Sequence, residues 1–478
     1  MTTAVGIVQR VSMGDGTACI EIGTLPNSTE LLTLPFLSSD SLATSALKRA
    51  MLRLVAWAQA SGCVVRAVHG AGDSVISEVR VVSFVNVLVV VDGIFTLDTV
   101  YPSPDESDPD HFFSISTLLS TLRSSTNPFF RVDTANRGFN WFYNGRQNTE
   151  PDPHATVVRP NPFAFDDANV NLANYDELWL IGYEGSNFGV RVPQLDFIRD
   201  DEVAAIASFM DQGGGVFATG DHDGLGSLMC GRIPRVRSMR RWFSNSDTDT
   251  RIPPQAPRSW PGVGATRADT LFVGEVTPPT LFFDDQSDDI PQPLEVLVPD
   301  HPIIQGRSGP LSGFPDHMHE GEVMLPWTLD DILSFQTTSG VQSFVEYPAV
   351  AGGPPEAPRI IANGNVQGGH QTLTGEPGAN KCENANFSDA PDPTEAKVIA
   401  ILCAYDGHVE GVGRVVTDSS FHHYLDLNLI GDPCSPPDSP KQQGFNASAR
   451  GREVLADLQA CYVHMASWLA RSTPKAFP

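Results

Sequence analysis

The sequence has no run approaching the roughly 18 apolar residues that span a bilayer. Its first residues, Met1-Thr2-Thr3-Ala4-Val5, lack the basic and apolar regions of a signal peptide. Both absences predict a cytoplasmic protein with no membrane partner. Basic residues are scarce: 31 Lys and Arg stand against 57 Asp and Glu, a formal net charge of −26. A field of that sign repels nucleic acid and anionic surfaces, so no nucleic acid partner is expected. Cysteine is sparse as well, at seven residues without a C-x-x-C pair. That excludes a zinc-ribbon spacing, and the odd number excludes a fully paired disulfide framework. A reducing compartment fits, although Cys382 and Cys434 lie in polar stretches where a pair could form on export.

What is present suits a globular protein of two to three domains: 478 residues, 41% of them hydrophobic. Gly at 41 and Pro at 38 predict long ordered loops between short elements. Residues 1–83 read as a small β-rich unit with one helix. Val5, Ile7, Cys19 to Ile22, Val64-Val65 and Val75 to Val81 give short strands, and Leu47, Met51, Leu54, Val55 and Ala58 line one face of a helix from Ser41 to about Ala60. This pattern suggests a compact barrel of the OB type.

From Phe84 the pattern changes to apolar strands alternating with helices, as a mostly parallel sheet covered on both faces requires. The expectation for residues 84–478 is a three-layer α/β sandwich of the flavodoxin-like kind. Strands are expected at Val87 to Val91, Phe129 to Val132, Leu178 to Ile181, Val216 to Thr219, Arg359 to Ala362, Val398 to Ala404 and Arg414 to Thr417. Residues 244–299, rich in Pro, Asp and Ser, read as an irregular insertion. The sharpest helix begins at Asp200-Asp201-Glu202, whose charges suit the positive end of the helix dipole, and stops at Gly213. A second amphipathic helix, about Arg452 to Leu469, closes the chain.

Ligands of open parallel sheets bind beyond the carboxyl ends of the strands. Asp92, Glu184 and His222 follow such ends, with Tyr183 beside Glu184 as a candidate substrate contact. Gly220-Asp221-His222-Asp223-Gly224 has the form of a nucleophile turn, in which flanking glycines relieve a sharp strand-to-helix bend. A plain glycine turn is the competing reading. In Pro315-Asp316-His317-Met318-His319-Glu320-Gly321-Glu322, His317 and His319 share one face if extended, and with Glu320 they could hold a divalent metal such as zinc. A polar loop is the alternative. The stretch Gly413 to Tyr424 runs as a strand into Asp418, His422 and His423. Adjacent histidines diverge, so His422 is preferred as the acid/base residue, His423 is expected to be packed, and Asp418 is a candidate substrate contact. Arg232, Arg235, Arg237, Arg240 and Arg241 form a cluster able to bind an anionic substrate, chiefly through Arg232 and Arg235, or else to pair with the chain's own carboxylates.

Three segments in order resemble the trehalose-utilisation (ThuA-like) branch of the class I glutamine amidotransferase-like superfamily. They are Gly213 to His222, His301-Pro302-Ile303-Ile304-Gln305-Gly306 followed by Asp316 to Glu322, and Gly413-Arg414-Val415-Val416 leading to His422. The resemblance spans roughly Val85 to Leu429 and implies an amidotransferase-like fold. Amidotransferases form a thioester on a cysteine where this chain has His222, so glutaminase chemistry is not expected. Two functions remain open. One is a hydrolase or lyase-type enzyme, metal-dependent in one version, acting on a small polar, sugar-derived or anionic substrate through Asp221, His222, His422 and Glu184. The other is a non-catalytic ligand-binding or assembly protein. Self-association into a homo-oligomer is compatible with both.

Overall fold

The computed structural model describes residues 2–14, 16–24, 28–61, 64–69, 74–82, 84–91, 114–125, 128–137, 142–143, 146–147, 163–166, 170–182, 198–221, 226–242, 290–315, 322–349, 353–366, 369–373, 387–394, 397–431 and 440–471. The chain divides into two compact units, one built on Met1–Phe84 and the other on Val85–Ser125 and Phe130–Thr473.

The first unit is a five-stranded antiparallel sheet in the order Ser28–Pro35, Thr17–Thr24, Thr2–Gly14, Val64–His69, Ile76–Val82. Alternation along the strands sends Ala18, Ile20, Ile22, Leu32, Leu34, Val65 and Ala67 to one face. There they meet Met51 and Val55 of the Leu42–Ser61 helix in a self-contained core.

The second unit is an α/β structure around a mixed nine-stranded sheet. From one edge the order is Gly313–Phe314, Gln292–Val296, Arg359–Val366, Lys397–Tyr405, Val415–Asp418, Gly215–Gly220, Glu177–Gly182, Phe84–Val91, Phe129–Asn136. Strands Phe84–Val91, Glu177–Gly182, Gly215–Gly220 and Val415–Asp418 pair in parallel. The side from Gly313–Phe314 to the Lys397–Tyr405/Val415–Asp418 pair is antiparallel. The parallel strands are apolar on both faces because each face is covered. Val87, Val89 and Val91 join a core with helices Ser116–Ser124 and Ala449–Leu469, while Leu88 and Val90 join a second core with helix Asp200–Asp211.

Helix Asp200–Asp211 forms for the reasons its sequence declares. Val203, Ile206, Ala207 and Met210 make the buried stripe, and Gly213 stops it with a φ of +86°. Two features depart from expectation. The irregular insertion, placed up to residue 299, gives way at Gln292 to a strand that pairs with Arg359–Val366. Pro291 and Pro293 mask that strand in the sequence, and proline is tolerated there because each ladder position lost lies near the sheet edge. A hairpin of Ile332–Thr337 and Gly340–Val345 also forms, its turn tied to the helix start by Gln336 and Thr338 N–H groups donating to Asp200 and Asp201. No helix among the described residues is long and apolar enough to cross a membrane.

Candidate functional site

The carboxyl ends of the parallel strands finish level, since Gly182 pairs with Gly220 and Ala218 with Thr417. Past Gly220 the chain gives the buried Asp221, and it returns to the strand ends at Gly226. A Cβ on Gly226 would sit 3.0 Å from the Gly182 Cα and 3.1 Å from the Gly220 Cα, and Gly226 has a φ of +77°. Gly226 itself is therefore pressed onto two strand ends, and glycine at 182 and 226 is what permits the approach.

Arg240 fastens these ends together. Its fully buried guanidinium donates to the Asp418 carbonyl at 2.7 Å, the Ser419 carbonyl at 2.7 Å, the Arg241 carbonyl at 2.9 Å and the Gly220 carbonyl. The plane of the group lies over the Trp242 ring at 4.3 Å. Burial pulls its pKa down to about 10, against the opposing pull of the Asp221, Cys230 and Asp418 charges, so it stays protonated at neutral pH. One cation thus satisfies the carbonyls that end two adjacent strands.

Two histidines follow, each anchored through Nδ1 by a different residue. Ser420 Oγ donates to Asp221 Oδ2, joining the two strand ends, and accepts from the His422 backbone N–H at 3.1 Å. The Ser420 hydroxyl is thereby committed as the cap of the Phe421–His423 turn. His422, 4% exposed, has its Nδ1 2.8 Å from Asn428 Oδ1. With the amide oxygen accepting, Nδ1 carries the proton and Nε2 keeps its lone pair. His423 is fully buried, with Nδ1 2.6 Å from Asp418 Oδ1 and its ring tilted against that of Phe314, the centroids 4.6 Å apart. Asp418 also accepts from the Ser420 N–H at 3.0 Å and the Tyr424 hydroxyl at 2.8 Å. Burial raises the Tyr424 hydroxyl well above its ordinary pKa, which keeps it a donor.

The segment that carries His422 and Asn428 is held from a distance. Asp426 accepts from Ser114 Oγ at 2.8 Å, Ser116 Oγ at 2.5 Å and the Thr117 N–H at 2.9 Å, all at the start of helix Ser116–Ser124. Burial nonetheless raises its carboxyl pKa, the hydrogen bonds from Ser116, Thr117 and Ser114 acting the other way. Glu322 lies beside this set: its backbone carbonyl accepts from the Arg241 N–H at 3.0 Å, and burial pushes its carboxyl up to about 7.

Of the residues singled out in the sequence, Asp221 and His422 come together at the strand ends through Ser420. His423 is packed, as expected. Asp418 requires correction: its carboxylate is wholly internal, engaged by His423, Tyr424 and Ser420 rather than turned to a substrate. Arg232 and Arg235 follow the second of the two readings of their cluster, pairing with the chain's own carboxylates. Arg232 pairs with Asp200 at 2.5 Å and the Ile198 carbonyl at 2.6 Å, while Arg235 pairs with Asp211 at 2.5 Å and the Glu346 carbonyl at 2.8 Å. Asp200 and Asp211 start and end one helix, roughly 16 Å apart by the helical rise. The cluster is therefore spread along a structural seam by the acid-rich surroundings, and does not converge on one anion. His301 is likewise structural, its Nδ1 accepting from the Ile303 N–H at 3.3 Å. Tyr183, Glu184, His222, His317, His319, Glu320, Asp92, Cys382 and Cys434 lie outside the described residues, as does the part of the 244–299 insertion that precedes residue 290.

Sequence reasoning missed Asn428 and Asp426, and it saw Arg240 only as a member of the arginine cluster. No spacing rule marks an arginine whose partners are carbonyls, whereas Asn428, six residues after His422 in the short helix Asp426–Leu429, was a findable orienting group. Among the described residues no three His, Cys, Asp or Glu side chains form a metal-holding group. Neither the family models nor the curated proteins contain a match to this chain.

Proposed function

We propose that the second unit is an enzyme of hydrolase or lyase type acting on a small polar substrate, sugar-derived or anionic, at the carboxyl ends of its parallel strands. The observation that carries this is the His422–Asn428 contact of 2.8 Å, which fixes one tautomer of a histidine beside the Asp221–Ser420 link. In a hydrolytic step His422 Nε2 takes a proton from the attacking water and delivers it to the leaving group. His222 and Glu184 are the proposed partners, with Tyr183 contacting substrate. A divalent ion of the zinc kind, held through His317, His319 and Glu320, would act as a Lewis acid. The lineage proposed is the ThuA-like branch, on the segment order given above, with glutaminase activity excluded by the histidine at position 222.

For the first unit we propose an OB-type barrel. Its outer strands approach each other where the Thr33 N–H donates to the Ser74 carbonyl at 2.7 Å, with Thr33 and Val75 bridged in parallel, and its helix lies between the third and fourth strands. The protein is proposed to work in the cytoplasm, without nucleic acid or membrane partners.

The test is turnover of a panel of chromogenic glycosides, esters and sugar lactones by the full chain. His422→Ala is expected to lower kcat/KM by about 100- to 10,000-fold, and Asn428→Ala by a smaller factor. If His422→Ala retains the activity found for wild type, the reading fails.

A further inference from the structure

The acid/base role given to His422 depends on where one amide stands. Asn428 Oδ1 lies 2.8 Å from His422 Nδ1, and only while that oxygen is there does the ring keep its proton on Nδ1 and its basic lone pair on Nε2. Asn428 sits on the four-residue helix Asp426–Leu429. A single helical turn does not hold its own shape in water, so its placement must come from outside it. Leu427 and Leu429 are buried, but apolar packing is non-directional and leaves the rotation of the turn loosely set.

The direction comes from Asp426. Its N–H donates to the Ser114 carbonyl at 2.8 Å, and its carboxylate accepts from Ser114 Oγ at 2.8 Å, Ser116 Oγ at 2.5 Å and the Thr117 N–H at 2.9 Å. Its own carbonyl accepts from the Ile430 N–H at 2.8 Å and the Gly431 N–H at 3.2 Å, which closes the far side of the same turn. The contact serves both elements. Helix Ser116–Ser124 receives no side-chain cap from Ile115 at its N-cap position, and Asp426 brings an acceptor and a negative charge to its first turn. Ser114, Asp426 and Asn428 are fully buried, so the clamp and the amide it places lie away from competing water.

We propose that Asp426 is a positioning residue for the strand-end site: by clamping the Asp426–Leu429 turn to residues 114–117, it holds the Asn428 oxygen on His422 and selects the tautomer that leaves Nε2 basic. The inference rests on the reading of His422 as the acid/base group. Without the clamp the amide shifts, the ring proton moves to Nε2, and that nitrogen no longer takes a proton from water. Groups that bind substrate are untouched, so the effect belongs to kcat and not to KM.

The full chain labelled with 15N-histidine is compared with Asp426→Ala and Asp426→Asn above the pH at which His422 titrates, its signals identified by their loss in His422→Gln. Wild-type protein is expected to show His422 protonated on Nδ1. Asp426→Ala is expected to move the proton onto Nε2 and to lower kcat about 10- to 100-fold with KM little changed. Asp426→Asn still accepts from the Thr117 N–H and is expected to keep the wild-type signals. Adding Asp426→Ala to Asn428→Ala should cost nothing further in kcat, because both act through one amide. A folded Asp426→Ala protein with wild-type His422 signals, or a wild-type ring protonated on Nε2, overturns the inference. Should Asp426→Ala fail to fold, the double variant Ser114→Ala/Ser116→Ala, which removes both hydroxyl donors, is read for the same signals, and an unchanged pattern again overturns it. The signals do not depend on turnover, so the hydrolase reading is judged separately, by the activity of His422→Ala.

Discussion

Lysine in place of Arg240 keeps the charge but loses the planar fork that reaches four backbone carbonyls. At least two of those acceptors are then left buried without a donor, at about 1–3 kcal/mol each. Arg240→Lys is therefore expected to lower the unfolding free energy by about 3 kcal/mol or more in urea titrations at pH 7. A loss below about 1 kcal/mol would mean that the strand ends hold without it. At this scale the sequence was legible where a residue's chemistry is tied to its neighbours in the chain. His422 and Asp221 stood out because each follows a buried strand. Arg240 and Asp418 were misjudged for one shared reason. A charged side chain beside a presumed crevice reads as a ligand contact, and only the fold shows that its partners are carbonyls and an internal histidine.

Helix Asp200–Asp211 illustrates how an element is held as well as how it is made. Glu202, fully buried in its first turn, accepts from Arg137 Nη2 at 2.9 Å, the Phe165 N–H at 3.1 Å and the Arg199 N–H at 3.1 Å. Burial alone would raise its carboxyl pKa, but the Arg137 charge and the backbone donors outweigh it and bring it below the ordinary 4.5. A depressed folded-state pKa means stability that is complete above the unfolded value and disappears as pH falls through the folded one. Glu202→Gln should consequently cost on the order of 3 kcal/mol at pH 7. The gap from wild type should narrow below pH 4.5, as read from denaturation midpoints at pH 7 and pH 3.5. A gap independent of pH would refute the assignment. This helix, the closing helix and the parallel strands were all legible, because a 3.6-residue stripe or an unbroken apolar run is a local signal. The antiparallel side was less so. Strand Gln292–Val296 is buried only at Gln292 and half-buried at Leu294 and Val296, carries Pro293, and acquires its identity from a partner far along the chain.

For the molecule as a whole, the two units have separate cores, and the effect of a cavity should stay within the unit where it is made. Ile20→Ala, at a fully buried position of the first core, is expected to destabilise that unit by about 2–5 kcal/mol. Hydrogen exchange should speed up in strands Thr17–Thr24 and Val64–His69, while helix Ala449–Leu469 keeps its protection. Loss of protection in that helix would show that the units do not unfold independently. The candidate site belongs wholly to the second unit, yet its parts are distant in the chain. Ser420 comes 199 residues after Asp221, and Asp426 comes 312 residues after Ser114, whose hydroxyl it accepts. Such separations have a consequence for the order of folding. Closing loops of that length is entropically opposed until both ends are present, and contacts so far apart slow folding. During synthesis, strands Glu177–Gly182 and Gly215–Gly220 emerge with one flank of the sheet open, and the strand that covers it, Val415–Asp418, leaves the ribosome much later, just ahead of both histidines. A chain truncated before Val415 would thus present an unpaired apolar strand, and aggregation, rather than a partly active enzyme, is its expected fate.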